Sequence, residues 1–160
     1  MKTSLVWKSG LTFEAKSRQH TYLLSSPEFG GADEGACPKE HLLAAISGCT
    51  GIDVLIALKK RSIDVKSFSL KSQAESGVVY PKTFQQIELI YEFEIEKGNL
   101  SNTEQPRVIE TVVETVVDCV HQSMSKTCAV AAIVAPAVKI FYSVVINREI
   151  EFRDEAHFSQ

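Results

Sequence analysis

Four residues in this 160-residue chain have thiol side chains that act as nucleophiles, soft metal ligands or redox groups: Cys37, Cys49, Cys119 and Cys128. What a thiol does depends on its ionisation, which is set by nearby charge, helix position and burial. Cys49 lies in an apolar stretch, residues 38–61, with helical periodicity. On the apolar face of such a helix a free cysteine serves as a small hydrophobe unless charge is brought to it. Asp53 lies one turn further on, within roughly 40° of the Cys49 direction, and a carboxylate there disfavours thiolate. A reactive Cys49 therefore needs a cation from elsewhere in the fold. Cys128 stands at the start of a short helix and follows Lys126, two features that favour thiolate. By location it is the most thiolate-prone of the four, and its alternative role is to fill a contact at the helix start.

Spacing limits how these thiols combine. Cys37 and Cys49 are separated by nearly twelve helical residues at about 1.5 Å each, roughly 17 Å, well beyond disulfide reach. Cys49 can meet only a cysteine delivered by tertiary packing, and Cys119 and Cys128 both qualify. There is no CxxC or HxxxH, and Cys119 and His121 project about 200° apart on a helix. No metal and no cofactor is expected. His20, His41 and His157 are scattered and expected at the surface, and the chain has no nucleotide-binding glycine pattern and no GxSxG elbow.

The elements that must position these groups follow from periodicity. Residues 4–8, 11–16 and 21–25 are short β-rich segments that predict a three-stranded meander. A glycine-rich acidic loop follows, ending at Pro38, which suits a first helical turn, with Glu40 near the positive end of the helix dipole. In residues 38–61, Leu42, Ala45, Ile46, Cys49, Ile52 and Ile56 mark one helical face, broadened by Leu43, Val54 and Leu55, so the helix is expected to be well buried. Residues 65–75 predict a strand and 77–82 a turn. Residues 86–96 alternate Ile87, Leu89, Tyr91, Phe93 and Ile95 with a largely acidic set, the pattern of an antiparallel sheet with one wet face. After a polar loop at 97–105, Pro106 opens a second helix with an apolar stripe of Ile109, Val112, Val113, Val116, Val117 and Val120. Valine is a poor helix former, so packing must hold this helix, and the face from Leu42 to Ile56 is the expected partner. Residues 123–127 break the pattern and 128–135 predict a short third helix capped by Thr127 or Ser125 and ended by Pro136. Residues 138–146 predict an apolar strand, Asn147 and Arg148 a turn, and 149–152 a short edge.

At 160 residues and 44% hydrophobic content the chain suits one domain, 1–160. Its net charge of −3 argues against a nucleic-acid or anionic-membrane surface. The first ten residues lack the apolar core of a secretory signal, and no stretch offers about 20 unbroken apolar residues to span a bilayer. A cytoplasmic protein is expected, with reduced cysteines and with protein or small-molecule partners rather than nucleic acid or membrane.

The ordered pieces resemble a known family. The loop GGADEGACP, the helix start PKEHLLAAISGC, the continuation CTGIDV, the acidic alternating strand, the second helix and a cysteine opening a short helix look like the OsmC/Ohr family. The likeness spans essentially the whole chain and is greatest to an OsmC-like branch carrying Cys-Thr-x-Ile-Asp-Val. The resemblance implies an α/β (α+β) fold, an intertwined obligate homodimer in which two central helices are wrapped by antiparallel sheets, with a thiol site at each end of the interface. It further implies a thiol peroxidase reducing organic hydroperoxides: Cys49 attacks the O–O bond and becomes a sulfenic acid, Cys128 resolves it to a disulfide, and an unidentified dithiol reductant reopens the pair.

In the peroxidase members the activating cation is an arginine of the N-terminal sheet, held by a glutamate ten residues before the cysteine. Lys39 occupies that place here, about 15 Å along the helix axis from Cys49, and Glu40 falls about 100° around the helix. Arg18 is the candidate cation and Glu40 the candidate clamp. The alternative is a non-enzymatic OsmC-like dimer that binds a small apolar ligand in an interfacial pocket. Asp53 and the displaced glutamate favour that alternative.

Overall fold

A computed structural model of the chain describes residues 1–95 and 106–158, the side chains of 106–109 excepted. These residues fall into two compact units, Met1–Ala44 and Ala45–Gln160.

The first unit contains the expected meander: β1 (Ser4–Ser9), β2 (Thr12–Ser17) and β3 (His20–Leu24) pair antiparallel in sequence order. The turns are made by Gly10 and Arg18, both at positive φ, and the Trp7 indole N–H donates to the Gly10 carbonyl at 3.0 Å. The glycine-rich loop runs close to β3. A Cβ on Gly35 would lie 2.5 Å from the Leu23 carbonyl oxygen, so only glycine fits. Helix α1 (Pro38–Lys60) begins in this unit. Its start is half of a capping box, because the Glu40 carboxylate accepts the Cys37 backbone N–H at 2.7 Å.

The second unit is built on a four-stranded sheet of β4 (Ser67–Ser76), β5 (Phe84–Glu94), β6 (Lys139–Ile146) and β7 (Glu149–Glu155), in that order. The alternation read in β5 holds: Ile87, Leu89, Tyr91 and Phe93 are buried, while Gln86 and Glu94 are exposed. On the other face Glu92 accepts hydrogen bonds from Ser69 and Lys71, which hold its carboxyl below the usual range, Lys71 first. One expectation is corrected here. β4–β5 and β6–β7 are antiparallel, but the central pair β5–β6 is parallel. A parallel pair requires a crossover, which helices α2 (Pro106–Gln122) and α3 (Ala129–Val134) provide. β7 also runs three residues further than the short edge expected, and Asn147 and Arg148, both at positive φ, turn β6 into it.

The helices depart from the sequence reading in three ways. First, α1 is not buried on the face read from its periodicity. Ile46, Thr50, Gly51, Val54 and Leu58 are buried, while Ile52 is 62% exposed and Leu55 and Ile56 are 44% and 49% exposed. The helix is apolar nearly all round, so periodicity alone did not select the inner face. Second, α2 packs on β6 and β7, with Val116, Cys119 and Val120 buried, where the sequence reading named only the face of α1 as its partner. Arg61, just after α1, reaches α2 through a 2.6 Å ion pair with Asp118. Third, α2 does not break at residue 123. Ser123–Thr127 continues it as a π turn, closed by the Cys128 N–H donating to the Ser123 carbonyl at 3.0 Å. The expected loop 97–105 and the Ile109 side chain lie outside the described residues.

By length and composition α1 is long and apolar enough to cross a membrane, against the expectation that no segment would be. The reason is its sparse charge: between Glu40 and Lys59 it has one acidic residue, Asp53, and no lysine or arginine. One of its faces is occupied by protein. Thr50 bonds Tyr91 of β5, and Gly51 faces the Phe68 ring of β4, where an added Cβ would lie 3.6 Å away.

Candidate functional site

Within the second unit α1 presents Cys49 and, one turn later, Asp53. The end of the π turn brings Cys128 to them. The two sulfurs and a carboxylate oxygen of Asp53 all lie within 4.8 Å of one another. Of the two cysteines left open as partners for Cys49, the fold delivers Cys128. Cys119 is buried on α2, its thiol pushed up by burial, and it is not part of this cluster.

Three local features fix the cluster. Beneath it, Thr50 Oγ1 lies 2.7 Å from Tyr91 Oη and 2.7 Å from Ser123 Oγ, a buried polar triad joining α1, β5 and the π turn. Because every hydroxyl in this triad has a partner, the network adds geometric definition rather than a desolvation penalty. Beside it, Thr127 Oγ1 donates to Asp53 Oδ2 at 3.0 Å, orienting the carboxylate. At Cys128 the thiol caps α3, with Sγ accepting the Ala131 N–H at 3.4 Å.

The last feature corrects the expected cap, since neither Thr127 nor Ser125 serves that role. It also overturns Cys128 as the most thiolate-prone cysteine. Cys128 is completely buried, and burial pushes its thiol up to about 12, with Cys49 and Asp53 acting in the same direction. The Ala131 N–H opposes them. Lys126 is exposed, and α3 has only six residues, so neither local feature offsets the desolvation. Local sequence marked the helix start but not how deeply it would be buried.

The other two sequence candidates belong to the first unit. Arg18 sits exposed at positive φ in the turn between β2 and β3. Glu40 is engaged by Cys37, whose backbone N–H holds the Glu40 carboxyl below its usual range. The sequence reading missed Thr50, Tyr91, Ser123 and Thr127. Tyr91 was read only as an inward residue of the alternating strand and Thr127 only as a helix cap; the tertiary fold alone makes the four neighbours of the site. His121, expected to matter only as a failed metal partner of Cys119, instead places Nδ1 2.8 Å from Tyr142 Oη and 3.8 Å from Asp154.

A helix-borne cysteine, a second cysteine at the mouth of a short helix and a crossover sheet behind them define a recognisable class. Residues 31–143 match the family described as OsmC-like protein, and the chain belongs to that family. Protein YhfA of Escherichia coli K12 is 29% identical over 143 residues, covering 89% of this chain and 96% of that protein. A crystal structure of a hypothetical protein from Aquifex aeolicus VF5 has TM-score 0.72 and 22% identity, covering 99% of this chain and 97% of that one. An organic hydroperoxide resistance protein from Elizabethkingia anophelis has TM-score 0.62 and 17% identity, covering 91% and 94%. At these identities the two structures show a shared fold.

Proposed function

We propose that the protein is a thiol-dependent peroxidase acting on organic hydroperoxides through Cys49 and Cys128. The observation that carries this reading is the placement of the two sulfurs within 4.8 Å of each other. The Cys49 thiolate attacks the O–O bond, releasing an alcohol and leaving a sulfenic acid. Cys128 sulfur then attacks Cys49 sulfur and expels water. The two thiols lose two electrons and two protons, and the hydroperoxide becomes alcohol and water. Closing the S–S bond to about 2.05 Å needs only a side-chain-scale approach from the present separation. The name of the Elizabethkingia relative supports the substrate class. An external dithiol would reopen the disulfide.

In this reading Cys128 is a resolving thiol that stays protonated at rest, in keeping with its burial. Arg18 is the cation we assign to Cys49 activation, and Glu40 acts in positioning, through the helix start that it caps. The exposed Ile52, Leu55 and Ile56 of α1 support a homodimer in which a second copy covers them. A reducing compartment, the cytoplasm, suits a cycle that starts from thiols.

The second reading is a binding dimer without peroxidase chemistry, favoured by Asp53 beside both sulfurs. The Cys49 pKa, measured by pH-dependent alkylation, separates the two. A value clearly below the ordinary thiol value of about 8.5 supports the enzyme, and a value near or above it supports the binding module.

A further inference from the structure

We infer that Cys49, Cys128 and Asp53 form a three-ligand site for a thiophilic divalent cation, zinc above all, with its fourth position open. No metal-binding sequence motif marks the site, because its ligands come from two separate segments of the chain. It goes beyond the redox reading and does not rest on it, since it requires only reduced thiols.

The geometry suits the ion. Tetrahedral zinc with Zn–S near 2.3 Å and Zn–O near 2.1 Å sets its ligand atoms about 3.6–3.8 Å apart. The three ligand atoms here lie within 4.8 Å of one another, so each pair needs to close by at most about 1 Å. Rotamer adjustment on two helix-anchored residues and a helix cap covers that distance. Two thiolates and one carboxylate favour zinc over the hard cations magnesium and calcium, which prefer all-oxygen sites.

Two hydrogen bonds already orient the ligands. Thr127 holds the Asp53 carboxylate at 3.0 Å, and the Ala131 N–H points at Cys128 Sγ at 3.4 Å. Such outer partners commonly fix the direction of metal-binding side chains. Cys128 is buried, whereas Cys49 and Asp53 are half-exposed, so entry and the free fourth position lie on their side. Binding displaces two thiol protons. Oxidation of the same sulfurs to a disulfide removes both thiolates, so cation and disulfide exclude each other.

The test uses the reduced full chain titrated with Zn2+ by calorimetry, with Co2+ as an optical probe of tetrahedral thiolate coordination. One ion per chain is expected, with sulfur-to-cobalt charge-transfer absorption. Asp53→Asn should weaken Zn2+ binding at least about tenfold, and Thr127→Val by about tenfold. Cys49→Ser with Cys128→Ser should abolish it, as should oxidation with diamide, which forms the disulfide without any peroxidase step. Absence of binding in the reduced wild type, or equal binding in Asp53→Asn, would overturn the site. Zinc binding by a chain that is inert to hydroperoxides would leave the site standing and sink the peroxidase reading alone.

Discussion

Thr127 donates its hydroxyl to the Asp53 carboxylate at 3.0 Å across 74 positions of sequence, and so holds a negative charge beside two thiols. That charge acts on the Cys128 thiol in the direction burial already sets, disfavouring its thiolate. Removing the charge without changing the side-chain shape, Asp53→Asn, should lower the Cys128 thiol pKa, so that its thiolate forms at a lower pH. Thiolate ultraviolet absorbance followed across pH, in a chain whose other cysteines are replaced by serine, gives the shift. An unchanged profile would mean that the carboxylate is too well screened to act.

The buried triad makes a prediction about stability. Tyr91→Phe removes one hydroxyl but leaves Thr50 bonded to Ser123, at a cost of about 1 kcal/mol. Thr50→Val strands both Tyr91 Oη and Ser123 Oγ, and its cost should be larger, roughly 2–4 kcal/mol. Urea unfolding at unchanged slope measures both, and equal costs would show that the three hydroxyls do not act as one network.

Alkaline pH should destabilise the fold through Cys128. Its folded-state pKa is raised from about 9 to about 12 by burial, so the unfolded chain releases this proton first. The stabilisation is complete below about pH 9 and is lost as pH rises toward 12. Burial also raises the Tyr91 and Tyr142 hydroxyls, which adds in the same direction. Cys128→Ala should start less stable yet show a shallower fall in melting temperature above pH 9. An identical slope would contradict the assignment.

The exposed side of α1 predicts an assembly. Wild-type chain at micromolar concentration should sediment as a dimer, whereas Ile52→Asp, which puts a charge where Ile52 is 62% exposed, should sediment as a monomer. A monomeric wild type would remove the reason given for the uncovered apolar face.

Much of the fold was legible in the chain because its signals are local. The alternation of β5, the meander turns at Gly10 and Arg18, Pro38 with Glu40 at the start of α1 and Pro106 at the start of α2 each depend on neighbours within a few residues. What escaped depends on remote partners. The inner face of α1 is chosen by Tyr91 and Phe68, which the periodicity of α1 itself does not name. The parallel pairing of β5 with β6 is set by a crossover of more than forty residues. At the site, the pairing of Cys49 with Cys128 followed only from family resemblance, and Asp53 was read beside Cys49 from helix geometry. Thr127 was read only as a cap and the joining of Thr50, Tyr91 and Ser123 was not foreseen, and Cys128 was misjudged because a helix start was visible while its burial was not.

The central claim is that Cys49 and Cys128 work as a pair. Its most direct test is intact and peptide mass spectrometry of the reduced protein after one equivalent of an organic hydroperoxide. The account predicts loss of two hydrogens and a peptide linked through Cys49 and Cys128, with Cys37 and Cys119 still alkylatable. Two unchanged thiols at Cys49 and Cys128, or a disulfide elsewhere, would contradict it.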